Sequence, residues 1–143
     1  MSQIVTSIRS DKMTQQKTSK VTTAADAAEM FLAEMPKEQS EERVFVLPLD
    51  ANGAALSKPI LVSVGHEDGT TVIDAGMIFR AAFKADAQEI IIAHNHPSGD
   101  LRPSAADLAA TEELKDLSKR LSVRFLDHLI IGRGGFASLA EMA

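Results

Sequence analysis

One stretch limits what this chain can become more than any other: Gln88-Glu-Ile-Ile-Ile-Ala-His-Asn-His-Pro-Ser-Gly-Asp-Leu-Arg-Pro-Ser-Ala-Ala-Asp107. A short apolar run closed by a Pro/Gly cluster reads as a buried strand over residues 88–93. His94 and His96 stand at its end. In extended backbone, positions i and i+2 project to the same side, so both imidazoles can face one point. Asp107 comes ten intervening residues later, near the start of a predicted helix. Two imidazoles and a carboxylate, with a fourth position left to water, form the ligand set of a catalytic zinc ion. The chain has no cysteine, so any zinc must be held by His and carboxylate. The same segment supports a plainer account. Ser104-Ala-Ala-Asp107 is a capping box, with Ser104 as N-cap and Asp107 favoured by the helix dipole. The two accounts are compatible, because a carboxylate in a first helical turn points back toward the preceding loop.

Around this stretch the chain alternates between strand and helix. Residues 1–22 form a polar arm, expected to be flexible, and residues 23–143 form one domain. Thr22 or Thr23 caps a helix that Pro36 stops, with Ala28, Phe31, Leu32 and Met35 on one face. Val44-Phe-Val-Leu-Pro-Leu49 reads as a strand, in which Pro48 implies a bulge or an edge. Asp50-Ala-Asn-Gly53 is a turn signal leading into a hairpin with the region 56–64. His66 and Glu67, between two glycines, read as solvated turn residues. Asp74 caps a helix over 75–86 that buries Ala75, Ile78, Phe79 and Ala82. The helix opened by Pro103 and Ser104 carries the stripe Ala110, Leu114, Leu117, Leu121. A strand over 123–131 and a short segment over 136–142 complete the chain. This pattern predicts an α/β fold: a single-domain, mixed β-sheet flanked by helices.

Composition narrows the function. Fifteen Lys and Arg against twenty Asp and Glu leave a net charge of −5, which argues against nucleic-acid binding by phosphate neutralisation. Tyr and Trp are absent, which removes the aromatics that stack on bases. Arg9, Lys12, Lys17 and Lys20 in the arm are the basic cluster available to phosphate. No apolar run approaches bilayer-spanning length and no secretory signal is evident, so no membrane partner is expected. Without cysteine, the chain reads as cytoplasmic. An exposed sheet edge near the arm would permit a homodimer.

If zinc is bound, hydrolysis also needs a proton carrier and a donor for the developing oxyanion. Ser104 stands where its hydroxyl can serve as that donor, besides capping. For the proton carrier, Glu41, Glu42, Glu67, Asp68 and Asp127 are all candidates, and periodicity does not choose between them.

His94-Asn-His-Pro-Ser-Gly-Asp100 followed by Pro103-Ser-Ala-Ala-Asp107 closely resembles the RadC family within the JAMM/MPN (JAB) metalloprotease superfamily. The superfamily pattern is a Glu, then His-x-His-Pro, seven further residues ending in Ser, and Asp three beyond. His94, His96, Pro97, Ser104 and Asp107 fill those later positions. The resemblance extends over residues 24–142. It includes Glu42-Arg-Val-Phe-Val-Leu-Pro-Leu-Asp50, Ile78-Phe-Arg-Ala-Ala82 and Asp127-His-Leu-Ile-Ile-Gly132. It implies an MPN/JAB, cytidine-deaminase-like sandwich and a Zn2+-dependent hydrolase of peptide or isopeptide bonds. By that resemblance His94, His96 and Asp107 are the metal ligands, Glu42 is the general acid/base with Glu41 as the one-residue alternative, and Ser104 assists the oxyanion. Asn95, Ser98, Asp127 and His128 also match, as residues that brace the loop and hydrogen-bond the ligand histidines. The family's name is attached to DNA repair, and some members of the superfamily act as non-catalytic scaffolds. Longer members carry an N-terminal helix-hairpin-helix segment, where this chain has one helix and the arm. Ala75-Gly76 replaces a Pro-Arg usual in the family.

Overall fold

The computed structural model describes residues 20–65, 73–132 and 134–142. Most of the arm lies outside them, as do His66, Glu67 and Asp68. Of the arm, Lys20 bridges Ala54, and the Val21 N–H donates to the Gly53 carbonyl at 2.8 Å.

The elements run α1 (Ala24–Glu34), β1 (Arg43–Leu49), β2 (Ile60–Val64), α2 (Ala75–Lys84), β3 (Glu89–Asn95), α3 (Ala105–Leu121), β4 (Arg124–Gly132), β5 (Gly135–Ser138) and α4 (Leu139–Met142). One mixed sheet has the order β2-β1-β3-β4-β5. Only β3 and β4 are parallel, joined through α3. β3 is therefore central and buried along its whole length, which explains why its sequence is a continuous apolar run rather than an alternating one.

The period of two divides the sheet into two cores. Phe45, Leu47, Leu49, Ile91, Ala93, Leu129 and Ile131 face α1, which brings Ala27, Ala28 and Phe31. Val44, Val46, Ile90 and Ile92 face α2 and α3, which bring Ile78, Phe79, Ala82 and Leu114. Each fully buried Ile or Leu contributes about 1.5–3 kcal/mol by leaving water. Among the described residues no helix is long and apolar enough to cross a membrane.

Three details differ from the sequence expectation. β1 is an interior strand, and its bulge falls between Val44 and Phe45 rather than at Pro48. Pro48 is tolerated because it lies beyond Ile60, where the β1–β2 ladder ends, and its carbonyl accepts from Leu56 N–H at 2.9 Å. On α1, Leu32 is exposed. On α3 the buried positions are Asp107, Thr111, Leu114 and Ser118; of the expected stripe Ala110, Leu114, Leu117, Leu121, Leu114 is buried, Leu117 packs partly on the core and Leu121 is exposed. The helix turns a partly polar face inward, and the reason lies at the end of β3.

Gly132 closes β4 against the loop that follows β3. A Cβ there would lie 2.7 Å from Leu101 Cδ2 and 3.0 Å from the Gly99 carbonyl oxygen. Gly132→Ala is expected to cost about 1–3 kcal/mol by overpacking, read as a lower urea midpoint with unchanged slope. An unchanged midpoint would show that the loop gives way freely.

Candidate metal centre

His94 belongs to the last turn of the β3 pleat, paired with Val44 on one side and Ile130 on the other. Even-numbered residues of β3 face α3, so His94 points beneath the start of that helix. His96 follows just past the strand, where Pro97 and Gly99 (φ +86°) turn the chain. Its Nδ1 lies 2.7 Å from the Asp100 carbonyl oxygen. A carbonyl only accepts, so Nδ1 carries the proton and the neutral ring presents a bare Nε2.

Asp107 arrives as the third residue of α3. Its backbone N–H donates to Ser104 Oγ at 3.0 Å, and its Oδ2 accepts from Ser104 N–H at 2.9 Å. The capping box is therefore real, and it aims the same carboxylate at the histidines. Asp107 Oδ1 lies 3.3 Å from His94 Nε2, and Oδ2 lies 3.0 Å from His96 Nε2. The two Nε2 atoms are 3.1 Å apart. Among the described residues His94, His96 and Asp107 form a group that could hold a metal ion. Separations of 3.0–3.3 Å match the edge of a tetrahedron, about 3.3 Å when ligand distances are 2.0–2.1 Å. Converging acceptors repel one another unless a proton or a cation sits among them, so the donor set fits a metal. Burial alone would raise the Asp107 carboxyl. Once His94 takes up a second proton, on Nε2, its hydrogen bond and charge, with the Ser104 contacts, outweigh burial and hold the group well below the usual carboxylate range.

Glu42 stands over the group, with Oε2 3.7 Å from His94 Nε2. Burial pushes its carboxyl above the ordinary 4.5, against the opposing pull of the two histidines. Glu41 turns the other way and pairs with Arg43 at 3.2 Å. Asn95 fixes this choice. Its Oδ1 accepts from Arg43 N–H at 2.7 Å, and its Nδ2 donates to the Glu41 carbonyl at 3.0 Å. Both residues flanking Glu42 are thus clamped to β3.

Asp127, a candidate base by sequence, is on the opposite face of the sheet. It bonds Ser138 Oγ and accepts from the N–H groups of His128 and Ala140. Its work is to tie α4 to β4. His128, its neighbour, points the other way as strand alternation requires, and its Nε2 is 2.8 Å from His94 Nδ1. Burial pushes the His128 imidazole down to about 3. Ser98 is exposed and accepts from Asp100 N–H at 3.2 Å, bracing the loop. Thr111 was not anticipated. Its hydroxyl is 2.7 Å from His128 Nδ1 and 3.0 Å from the Asp107 carbonyl oxygen. The available signal was a Thr four residues after Asp107, on the same helical face.

A mixed sheet with helices on both faces, and a His-x-His and Asp cluster at the end of its central strand, defines a domain of the JAB type. The chain belongs to the RadC family: residues 21–143 match the RadC-like JAB domain. It is similar to a UPF0758 protein of Chlorobium chlorochromatii, 38% identical over 122 residues that make up 85% of this chain and 54% of that protein. A UPF0758 protein of Staphylococcus haemolyticus is 34% identical over 122 residues, covering 85% and 52% respectively. One of Microcystis aeruginosa is 38% identical over 118 residues, covering 82% and 47%. The chain spans about half the length of these curated relatives.

Proposed function

We propose that this domain is a zinc-dependent hydrolase of the JAMM type, acting on a peptide or isopeptide bond. The observation that carries the reading is the convergence of His94 Nε2, His96 Nε2 and both Asp107 oxygens within 3.0–3.3 Å, with the Glu42 carboxylate 3.7 Å from His94 Nε2. His94, His96 and Asp107 would hold the ion. Two imidazoles and one carboxylate are a zinc-type set with one position left open. When bound, the ion supplies Lewis acidity that brings water ionisation close to neutral pH.

The chain's own groups do the rest. Glu42, half-buried and with a raised pKa, takes a proton from the attacking water and passes it to the leaving amine. A raised value suits both halves of that task, since the group must release the proton as readily as it accepts it. Asn95 keeps Glu42 in place through the backbone on either side. Ser104 Oγ accepts from Asp107 N–H, which leaves its own hydroxyl proton to stabilise a developing oxyanion. The acidic, cysteine-free chain suits a cytoplasmic setting.

The test combines metal analysis with turnover. Purified protein equilibrated with micromolar zinc is expected to retain about one ion per chain. It should also cleave members of a panel of fluorogenic peptides and isopeptide-linked peptides. Protein that takes up no zinc ends the proposal; protein that holds zinc yet cleaves nothing in the panel removes its hydrolytic half.

A further inference from the structure

We infer that Thr111, acting through His128, is a positioning residue that fixes the His94 ring with its proton on Nδ1 and its Nε2 bare for the metal. The inference rests on the metal-centre reading above and adds to it what prepares the ligand.

Three hydrogen bonds, through five polar atoms, connect the backbone of α3 to His94. The Asp107 carbonyl oxygen is 3.0 Å from Thr111 Oγ1, which is 2.7 Å from His128 Nδ1, and His128 Nε2 is 2.8 Å from His94 Nδ1. His94 and His128 are fully buried and Thr111 nearly so, so water does not rescue a mismatched link. Each link holds one proton, and the carbonyl at the end can only accept. Thr111 therefore donates to Asp107 O and accepts from His128 Nδ1–H. The neutral His128 ring is then bare at Nε2 and accepts from His94 Nδ1–H. His94 is left with a bare Nε2, facing His96 Nε2 and Asp107 Oδ1. The reverse polarity would turn the hydroxyl proton toward His128 and leave two oxygens 3.0 Å apart with no hydrogen between them. It would also place a proton on His94 Nε2, in the way of the ion. A ligating imidazole commonly has its second nitrogen oriented by a carboxylate or a carbonyl. Here a second imidazole does this, and the hydroxyl behind it sets the direction.

The experiment uses the full chain. Long-range 1H–15N correlation of the histidine rings, in metal-free and zinc-loaded protein, is expected to show His128 protonated on Nδ1 and His94 bound through Nε2. Zinc affinity is measured by competition with a chelator. Thr111→Val keeps the shape and removes the hydroxyl, and is expected to weaken zinc binding by about ten- to a hundredfold. Thr111→Ser restores the hydroxyl and with it the affinity. Wild-type protein that binds no zinc removes the metal-centre reading itself. Wild-type protein that binds zinc, with Thr111→Val binding equally well or the His128 proton found on Nε2, overturns the relay alone.

Discussion

His96→Ala is expected to bind zinc about a hundredfold more weakly than wild type, while the metal-free proteins differ in stability by about 1 kcal/mol or less. Zinc held by four protein donors is worth on the order of 10–16 kcal/mol, so one donor's share is about 3 kcal/mol, or roughly two decades of affinity. The cost to the fold is small because His96 is on a loop and only partly buried, and its one bond outside the cluster is to the Asp100 carbonyl. A single such bond contributes about 1 kcal/mol. His94 makes a poorer probe. It is fully buried in β3 and supports His128, so its removal mixes folding with binding. Zinc at a hundred times its dissociation constant should stabilise wild type by about 2.7 kcal/mol, raising its melting temperature by several degrees. At that same zinc concentration His96→Ala should show almost none of this rise. A variant with the full wild-type rise would take His96 out of the ligand set. Acid should release the ion by protonating the imidazoles, which bind only when neutral. Asp107 is not the weak point. Its folded pKa is lowered, so its contribution to stability is fully present above its unfolded value of 3.8 and is lost only as pH falls through the lower folded one.

What the sequence made legible is what chain neighbours decide. The run Ile90–Ala93 announced a doubly buried strand, His94 and His96 shared a side by pleat alone, and Ser104 with Asp107 spelled a cap. Each of these is settled within a few residues. What stayed hidden depends on contacts between distant parts of the chain. Glu41 and Glu42 are adjacent, and only Asn95, more than fifty residues away, decides which of them overhangs the histidines. The face α3 buries was misread because hydrophobic periodicity weighs Leu117 and Leu121 above Asp107 and Thr111. The His94, His96 and Asp107 cluster inverts that weighting by giving polar side chains partners inside the protein. Pro48 misled in the same way: its missing N–H matters only if a strand on the side its carbonyl faces extends that far, and β2 does not. Asp127 and His128 could be sorted to opposite faces from alternation, but which face held the site required α3 to be placed.

Glu42→Gln should separate binding from chemistry. Gln keeps the size and one oxygen of Glu but cannot carry the proton, so turnover of whichever peptide or isopeptide wild type cleaves is expected to fall about 10²–10⁴-fold. Zinc affinity should stay near wild type, since the Glu42 oxygen lies farther from His94 Nε2 than Asp107 Oδ1 does. The acid limb of the wild-type pH–rate profile should lie above the ordinary glutamate value of 4.5, because burial raises the carboxyl and the base works only when ionised. That limb should vanish in the variant. The same shift makes a stability prediction of opposite sign. A carboxyl whose folded pKa is raised favours the fold below its unfolded value, and that advantage disappears as pH rises through the folded value. At neutral pH the buried charge is therefore a cost, and metal-free Glu42→Gln should be at least as stable as wild type in urea. A variant that turned over at the wild-type rate, with its acid limb intact, would show that another group carries the proton.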